Sequence, residues 1–299
     1  MLIDAEVTPS LEQELLSRQP WMHPFRFADD VIVGWFKHEV DGDATACVSS
    51  SPPNLRASMA AAFDRHMAAD PEYEIRELVE RVGNDGRYLD IACATGWHSL
   101  ALADLGVHEV IGVEIRPEQV GNAEFIRQLE PRRFAAARFE HEPVSADDSD
   151  FRADEQYDVV LSLGLLYHLV DPFTHLQNLR RLAKRAVLLK TLTHAHERGF
   201  WMHVREDPRW MTKAWSAASW IPHYADVPDL LRAVGFDAVE TVTRPELRRP
   251  HARDARTESR LARLILPGAV FSIRGRIDAQ AARAERLGVS SRYYTYLAR

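Results

Sequence analysis

The sequence has little cysteine and no long apolar run. Its 299 residues contain only two cysteines, Cys47 and Cys93, too few for a disulfide framework. No stretch of about 18 apolar residues occurs, so we expect no membrane-spanning helix and no membrane partner. The first residues, MLIDAEVTPS, lack the basic-then-apolar order of a secretory signal peptide. These absences together lead us to expect a cytoplasmic chain.

The chain also lacks a net positive charge. Its formal charge of -7 argues against nucleic acid as an obligatory partner, although tRNA is not excluded. The distribution is uneven, because the segment 244–286 holds 11 arginines, no lysine and 5 acidic residues. Two interpretations of this Arg-rich segment stay open. It is either a solvated helical surface or a site for a phosphate or diphosphate group.

Apolar stretches of two kinds alternate along most of the chain. Strand-like stretches cover 87–92, 109–115, 134–140, 157–166, 186–192, 236–242 and 291–299. Helical spacing covers 55–69, 74–83, 96–106, 117–130, 171–183 and 226–235. Alternation of this kind predicts a parallel sheet covered by helices on both faces. The last two strands are joined by a long insertion, and an antiparallel pairing is possible for them.

Glycine is scarce in the turn between the strand 87–92 and the helix 96–106, which reads LDIACATGW. The register of a dinucleotide loop, G-x-G-x-x-G, would place Trp97 in the third slot, where a large ring blocks close helix–strand packing. A second register places three small residues, Ala92, Ala94 and Gly96. We expect alanine to suit such a turn where φ is negative. Glu114, 24 residues after Asp90, ends the next strand and is placed to bind both hydroxyls of a ribose.

The segment from about 85 to 240 resembles the class I S-adenosylmethionine (SAM)-dependent methyltransferases. The resemblance is carried by LDIACATGWHS, VIGVEIRPEQVGNAEFI and LGLLYHLVDPFTHLQNL. PWMHPF (20–25) and WIPHYADVPDLLRAVGF (220–236) are similar to segments of one branch, which contains tRNA wobble-uridine carboxymethyltransferases and small-molecule relatives.

The resemblance implies an α/β fold, a Rossmann-like doubly wound sheet of seven strands, with an N-terminal extension and two insertions on the substrate side. The implied domains are an extension or cap at 1–60 and a SAM-binding domain at 61–242 plus 291–299. That domain would carry a Trp-rich insertion at 194–224, and the Arg-rich insertion would cover 243–290.

The resemblance also implies SAM as cofactor and S-adenosylhomocysteine as product. The SAM loop would be formed by Asp90, Ala92, Cys93 and Gly96. Glu114 would bind the ribose, Ile115 would face the adenine, and Glu142 or Pro143 would lie at the adenine edge, although FEHEPVS lacks the usual Asp there. Gly164 and Leu165 would lie under the methionyl part, and Tyr167 and His168 would face the methyl group. His168 is a candidate general base, or it packs against the loop and touches only cofactor.

Aromatic residues mark the predicted substrate pocket. The candidate wall residues are Trp201, Trp210, Trp215, Trp220 and Tyr224, together with Trp21, His23 and Trp35 from the N-terminal region. The alternatives are a lid packed on the domain or the interface of a homodimer. His194, His196 and His203 are close in sequence, but no HExxH motif and no cysteine partner accompany them, so we expect no metal.

We expect a methyltransferase for a small molecule, in specialised metabolism. The two insertions suit an acceptor with an apolar body and an anionic end, such as a prenyl diphosphate. One alternative is transfer of a carboxymethyl group from carboxy-SAM to a wobble uridine of tRNA. Another is a non-catalytic SAM-binding module, suggested by the alanines of the loop.

Overall fold

The structure is a computed structural model that describes residues 1–28, 31–35, 45–194, 201–205, 218–242 and 291–299. The Arg-rich segment, Trp210 and Trp215 lie outside the described residues. The described part contains a mixed sheet of seven strands flanked by helices, which is the predicted fold class. The chain divides into two compact units, residues Met1–Pro143 and Val144–Arg299.

The first unit begins with a helix and a small antiparallel sheet and continues into three parallel strands. Its elements are α1 (Pro9–Ser17), β1 (Phe25–Arg26), β2 (Ile32–Val33), β3 (Ala46–Cys47), α2 (Pro53–Ala68), α3 (Tyr73–Val82), β4 (Arg87–Ile91), α4 (Trp97–Asp104), β5 (Glu109–Glu114), α5 (Pro117–Leu129) and β6 (Ala137–His141). Strand β5 pairs in parallel with β4 on one side and with β6 on the other. Strands β4 and β5 are buried beyond their first residue, whereas β6, at the edge of the sheet, buries only Ala137. Helix α3 buries only Ile75 and Leu78, as expected for an amphipathic helix.

The second unit is built on two parallel strands and an antiparallel edge. Its elements are β7 (Tyr157–Leu163), α6 (Pro172–Leu182), β8 (Ala183–His194), β9 (Trp201–Arg205), β10 (Ala218–Pro222), α7 (Val227–Ala233), β11 (Val239–Thr241) and β12 (Ser291–Ala298). Strand β8 pairs in parallel with β7 and antiparallel with β12, and β12 pairs antiparallel with β11. The last two strands thus pair antiparallel, which the sequence analysis had given as a possibility. The seven strands follow the order β11-β12-β8-β7-β4-β5-β6.

Strand boundaries differ from the prediction where the backbone turns. Strand β4 ends at Ile91 rather than at 92, because Ala92 has a φ of 59°. Strand β7 ends at Leu163 rather than at 166, because Gly164 has a φ of 84° and a 3-10 turn follows at Leu166–His168. The predicted strand at 134–140 begins only at Ala137, since Phe134 still takes part in the turn after α5.

The Trp-rich insertion contributes a hairpin. Strands β9 and β10 pair antiparallel, with Trp201 opposite Pro222. Among the described residues, no helix is long and apolar enough to cross a membrane.

Candidate cofactor-binding site

The turn that joins β4 to α4 holds three residues in the left-handed region. Ala92 has a φ of 59°, Ala94 a φ of 48° and Gly96 a φ of 80°. We expected the alanines at negative φ, and that expectation was wrong. The Cβ atom of an L-residue makes the left-handed region of φ costly, which is why glycine usually occupies it. The left-handed backbone turns the Ala94 N–H toward the carboxylate of Glu114.

Gly96 lies where no side chain fits. A Cβ atom built there would be 2.6 Å from Cζ of Phe139 and 2.9 Å from Cβ of Ala123. Gly112 on β5 meets the same ring, with Cδ1 of Phe139 at 2.7 Å. Phe139, on β6, therefore fills the space under the start of α4, and the backbone of the turn packs directly on it.

Glu114 lies at the end of β5 with its side chain 1% exposed. Its Oε2 accepts from the Ala94 N–H at 3.0 Å and from Nη2 of Arg116 at 3.0 Å. Its Oε1 accepts from the Arg116 N–H at 3.0 Å and from Nε of Arg116 at 2.8 Å. Each oxygen thus has two donors, which is the capacity of a carboxylate. A ribose could bond to this carboxylate only by taking the place of one donor, and the Arg116 guanidinium is the donor on a side chain.

Asp90 lies inside β4 and is 1% exposed. Its Oδ2 accepts from Oγ of Ser99 at 2.7 Å. The pKa of Asp90 is raised from 3.8 to about 7, mainly by burial and to a smaller extent by the nearby Glu114, against the opposing effect of the Ser99 hydrogen bonds. Cys93 is also buried, and burial raises the pKa of its thiol well above 9. Its sulfur is therefore protonated and behaves as a small apolar group.

The N-terminal segment 18–23 is held against the loop and against α5. Asn122 donates from Nδ2 to the carbonyl of Arg18 at 2.9 Å, and Gln119 donates from Nε2 to the carbonyl of Pro20 at 3.2 Å. The backbone N–H of His23 donates to Oγ1 of Thr95 at 3.0 Å. Of the candidates from this region, His23 is therefore brought to the loop.

Trp21 lies in the core of the first unit. Its side chain is 0% exposed, packs against Phe25 and Phe125, and donates from Nε1 to the carbonyl of Leu15 at 2.9 Å. These contacts favour a packing role over the wall of a pocket. Trp35 is half-buried at the end of a described stretch.

The remaining cofactor candidates of the first unit lie beside Glu114. Ile115 is half-buried, and its carbonyl is 3.1 Å from Nε2 of His141. Glu142 follows β6, and its backbone N–H donates to the carbonyl of Glu114 at 3.0 Å. The structure thus brings the ends of β5 and β6 together, as the assignment of both residues to the adenosine requires.

In the second unit, Gly164 and the 3-10 turn follow β7. The Gly164 N–H donates to the carbonyl of Lys190 at 2.8 Å, and Leu165 is half-buried. Tyr167 is 5% exposed and packs against Leu192 and Ile221. Its ring centroid lies 4.1 Å from that of the half-buried His168.

The hairpin strand β10 contributes part of the same region of the second unit. Ile221 packs on Tyr167, whereas Trp220 and Tyr224 are half-buried. The Tyr224 N–H donates to the carbonyl of His194 at 3.0 Å, and the rings of His194 and His223 lie 5.5 Å apart. Trp201 has only its backbone described. No three His, Cys, Asp or Glu side chains of the described residues are grouped as a metal site.

Sequence reasoning missed several residues that shape these sites. Ser99 and Arg116 hold the two buried carboxylates, and Phe139 supports the turn. His175 lies buried on α6, with Nε2 2.9 Å from Oγ of Ser162 and Nδ1 3.1 Å from the carbonyl of Ala146. Of these residues, only Arg116 could have been predicted from the sequence, because a basic residue two positions after a buried Glu can form an ion pair with it.

The comparison with known families now decides the class of this chain. Residues 83–240, just over half of the chain, match the family described as a methyltransferase domain. The chain belongs to this family. The match confirms the predicted class, a SAM-dependent methyltransferase with SAM as its cofactor. Within the first unit, the side-chain-free backbone at Gly96 and the buried carboxylate of Glu114 fit an adenosyl cofactor with a ribose.

Two groups of curated relatives resemble this methyltransferase. A ubiquinone biosynthesis O-methyltransferase from Cereibacter sphaeroides is 28% identical over 190 residues, which are 62% of this chain and 70% of that protein. A tRNA U34 carboxymethyltransferase from Cellvibrio japonicus is 26% identical over 160 residues, 53% of this chain and 47% of that protein. The chain thus spans about half the length of the carboxymethyltransferase.

A solved structure shows the same fold. The N-terminal domain of EvdMO1, solved in the presence of S-adenosylhomocysteine and D-fucose, has a TM-score of 0.58 and 21% identity. The similarity covers 78% of this chain and 89% of that domain. It confirms the Rossmann-like architecture of a class I methyltransferase.

Proposed function

We propose that this methyltransferase transfers the methyl group of SAM to a hydroxyl oxygen of a small molecule. The similarity to the ubiquinone biosynthesis O-methyltransferase carries the proposal, because it extends over 70% of that protein's length. The net charge of -7 also favours a small acceptor over a polyanion. A role in specialised metabolism is a hypothesis that rests on the two insertions in the sequence.

The first unit would hold the adenosyl part of the cofactor. Glu114 would accept from the ribose hydroxyls, Ile115 and Glu142 would lie along the adenine, and the turn from Asp90 to Gly96 would face the methionyl part. Glu114 is buried and already oriented by the Ala94 N–H, so little freedom is lost when it takes a new donor. Gly164 and Leu165 are assigned to the methionyl part by the resemblance alone.

The second unit would supply the groups that act on the acceptor. SAM supplies a methyl group on a cationic sulfur, which is a good leaving group. The main tasks left for the protein are to align the acceptor oxygen and to exclude water. His168 would accept the hydroxyl proton as the oxygen–methyl bond forms, and Tyr167 would wall the site.

A transfer assay with labelled SAM tests this proposal. We expect label in a panel of phenols and catechols, and none in tRNA. His168→Gln should lower kcat at least tenfold at neutral pH and leave the affinity for S-adenosylhomocysteine unchanged. His108→Gln, an exposed histidine of the first unit, is the control. Activity of the His168→Gln enzyme equal to that of the wild type would remove His168 from the mechanism.

Carboxymethyl transfer to a wobble uridine is the second candidate function. The similarity to tRNA U34 carboxymethyltransferases from Cellvibrio japonicus and Hydrogenovibrio crunogenus supports it, at 26% and 25% identity. Under this alternative carboxy-SAM, and not SAM, should give a labelled tRNA. The same assay with both donors therefore separates the two candidates.

The diphosphate hypothesis for the acceptor depends on the Arg-rich segment, which lies outside the described residues. Replacing Arg248 and Arg249 together by Gln should raise KM for an anionic acceptor and leave KM for a neutral one unchanged. An unchanged KM for both would leave the segment as a solvated surface.

A further inference from the structure

His23 carries a buried polar atom with no partner. Its Nδ1 is among the few buried side-chain atoms of the described residues that make no hydrogen bond. Such atoms are rare in native proteins, because a buried polar atom without a hydrogen-bond partner costs free energy. Each one therefore needs a physical explanation. A ligand that supplies the missing partner is one such explanation.

The surroundings of His23 place it at the start of α4. Its backbone N–H is bonded to Thr95, the residue before Gly96, and its ring lies 5.5 Å from the ring of His98 in an edge-on arrangement. His98 is the second residue of α4. The segment is fixed there by Gln119 and Asn122, so His23 is a built part of the loop environment.

The electrostatics of this position favour an anion. The first turn of a helix carries a partial positive charge and backbone N–H donors. The pKa of His23 is lowered to about 3, mainly by burial, and the nearby His66 and Arg116 act in the same direction. The ring is therefore neutral at neutral pH and has one N–H to donate.

We propose that His23 donates its Nδ1–H to the methionyl carboxylate of SAM, as a cofactor-binding residue contributed by the N-terminal segment. The inference rests on the proposed placement of the cofactor at the turn from Asp90 to Gly96. It gives His23 a role that differs from the wall of the substrate pocket. The carboxylate is the part of the cofactor that has only hydrogen-bond acceptors.

Calorimetric titration with three ligands tests the proposal. S-adenosylhomocysteine has the carboxylate and the ammonium, its decarboxylated analogue keeps only the ammonium, and 5′-methylthioadenosine has neither. His23→Leu removes the donor and keeps an apolar side chain of similar bulk. We expect it to weaken S-adenosylhomocysteine by about tenfold or more and to leave the other two ligands unchanged, as for loss of one charge-assisted hydrogen bond.

Two further variants sharpen the test. His23→Asn keeps an N–H donor near the position of Nδ1 and should retain most of the affinity for S-adenosylhomocysteine. His108→Leu, at an exposed histidine of the same unit, should leave all three affinities unchanged. The ligand-free His23→Leu chain should unfold at the same or a higher temperature than the wild type, because it loses an unpaired buried atom, whereas a structural histidine would lower that temperature.

Several outcomes would overturn the proposal. Equal affinity of the His23→Leu chain and the wild type for S-adenosylhomocysteine would do so directly. Equal weakening of all three ligands would indicate a distorted loop, and weakening of the decarboxylated analogue as well would assign His23 to the ammonium. Failure of the wild type to bind any of the three would instead overturn the cofactor site on which the inference rests.

Discussion

Two alanines of the cofactor turn adopt a backbone conformation that usually belongs to glycine. Ala92 and Ala94 both have positive φ, and Ala94 uses that conformation to donate to Glu114. Strained backbone of this kind persists only where the surrounding structure imposes it, and it is concentrated at functional sites. The sequence motif showed the small size of these residues but not the sign of φ, because alanine itself prefers negative φ.

Ala94→Gly should stabilise the ligand-free protein. Glycine removes a left-handed cost of about 1–2 kcal/mol and adds about 0.5–1 kcal/mol of chain entropy, so we expect a net gain of roughly 0.5–1 kcal/mol in the free energy of unfolding. Ala61→Gly, at an exposed position of α2, is the control and should lose about 1 kcal/mol. Urea denaturation measures both. If Ala94→Gly lowered the free energy of unfolding as much as Ala61→Gly, the backbone at position 94 would not be strained.

Asp90 should make the stability of the protein depend on pH. Its pKa is about 7 in the folded chain against 3.8 unfolded, so between these values the folded state holds a proton that the unfolded state has released. Stability therefore falls as pH rises from about 4 to about 7 and is level above that, with an upper bound of roughly 4 kcal/mol.

Asp90→Asn should remove this dependence. The difference in unfolding free energy between the Asp90→Asn chain and the wild type should grow in favour of the variant as pH rises from about 4 to 7. Ser99→Ala, which removes a hydrogen bond to the charged form, should extend the window to higher pH. Denaturation series at several pH values give the comparison, and a difference that stays constant across this range would show that Asp90 is ionised throughout.

At the scale of elements, the packing of the β4–α4 turn on β6 depends on two glycines. Gly96 and Gly112 both face the ring of Phe139, and neither has room for a Cβ atom. The sequence predicted that Gly96 supplies the turn, but not that a phenylalanine two strands away fixes it. Contacts between strands that are distant along the chain leave no periodic signal in the sequence.

Gly96→Ala should cost more than Gly106→Ala, although both glycines have a φ of 80°. At Gly106 the nearest atom to an added Cβ is Nδ2 of Asn84 at 3.5 Å, an ordinary contact, so only the net backbone cost of roughly 0.5–1 kcal/mol applies. At Gly96 the overlap with Phe139 adds about 1–3 kcal/mol. Thermal or urea unfolding of the two variants measures the difference. Equal losses would contradict the packing.

The sequence predicted the seven strands of the sheet, the helices between them and their succession along the chain, but not the order of the strands within the sheet. Buried parallel strands are continuous apolar runs, and proline at the start of α5 and α6 marks where those helices begin. The ends of strands were less accurate, because they depend on positive φ at Ala92 and Gly164. Side-chain pairing could not be read from the pattern. The Arg116 fork on Glu114 and the Thr95 contact of His23 join residues whose geometry only the fold determines.

At the scale of the whole molecule, the sequence motifs and the family match agree on a SAM-dependent methyltransferase. The first unit contains the turn, Glu114 and His23, and the second contains Tyr167 and His168. The predicted division into an extension, a SAM-binding domain and two insertions remains a prediction, as do the homodimer and the pocket role of the tryptophans.

Glu114, at the end of β5, is the residue that we propose to bind the ribose of the cofactor. The most direct measurement is the dissociation constant of S-adenosylhomocysteine for the wild type, for Glu114→Gln and for Glu109→Gln. Glu109 begins the same strand and pairs with Arg87 and Arg138, so it is a matched control at the opposite end. We predict at least tenfold weaker binding for Glu114→Gln and an unchanged constant for Glu109→Gln, as expected when a ribose loses its charged acceptor. Unchanged binding by a folded Glu114→Gln protein would contradict the account.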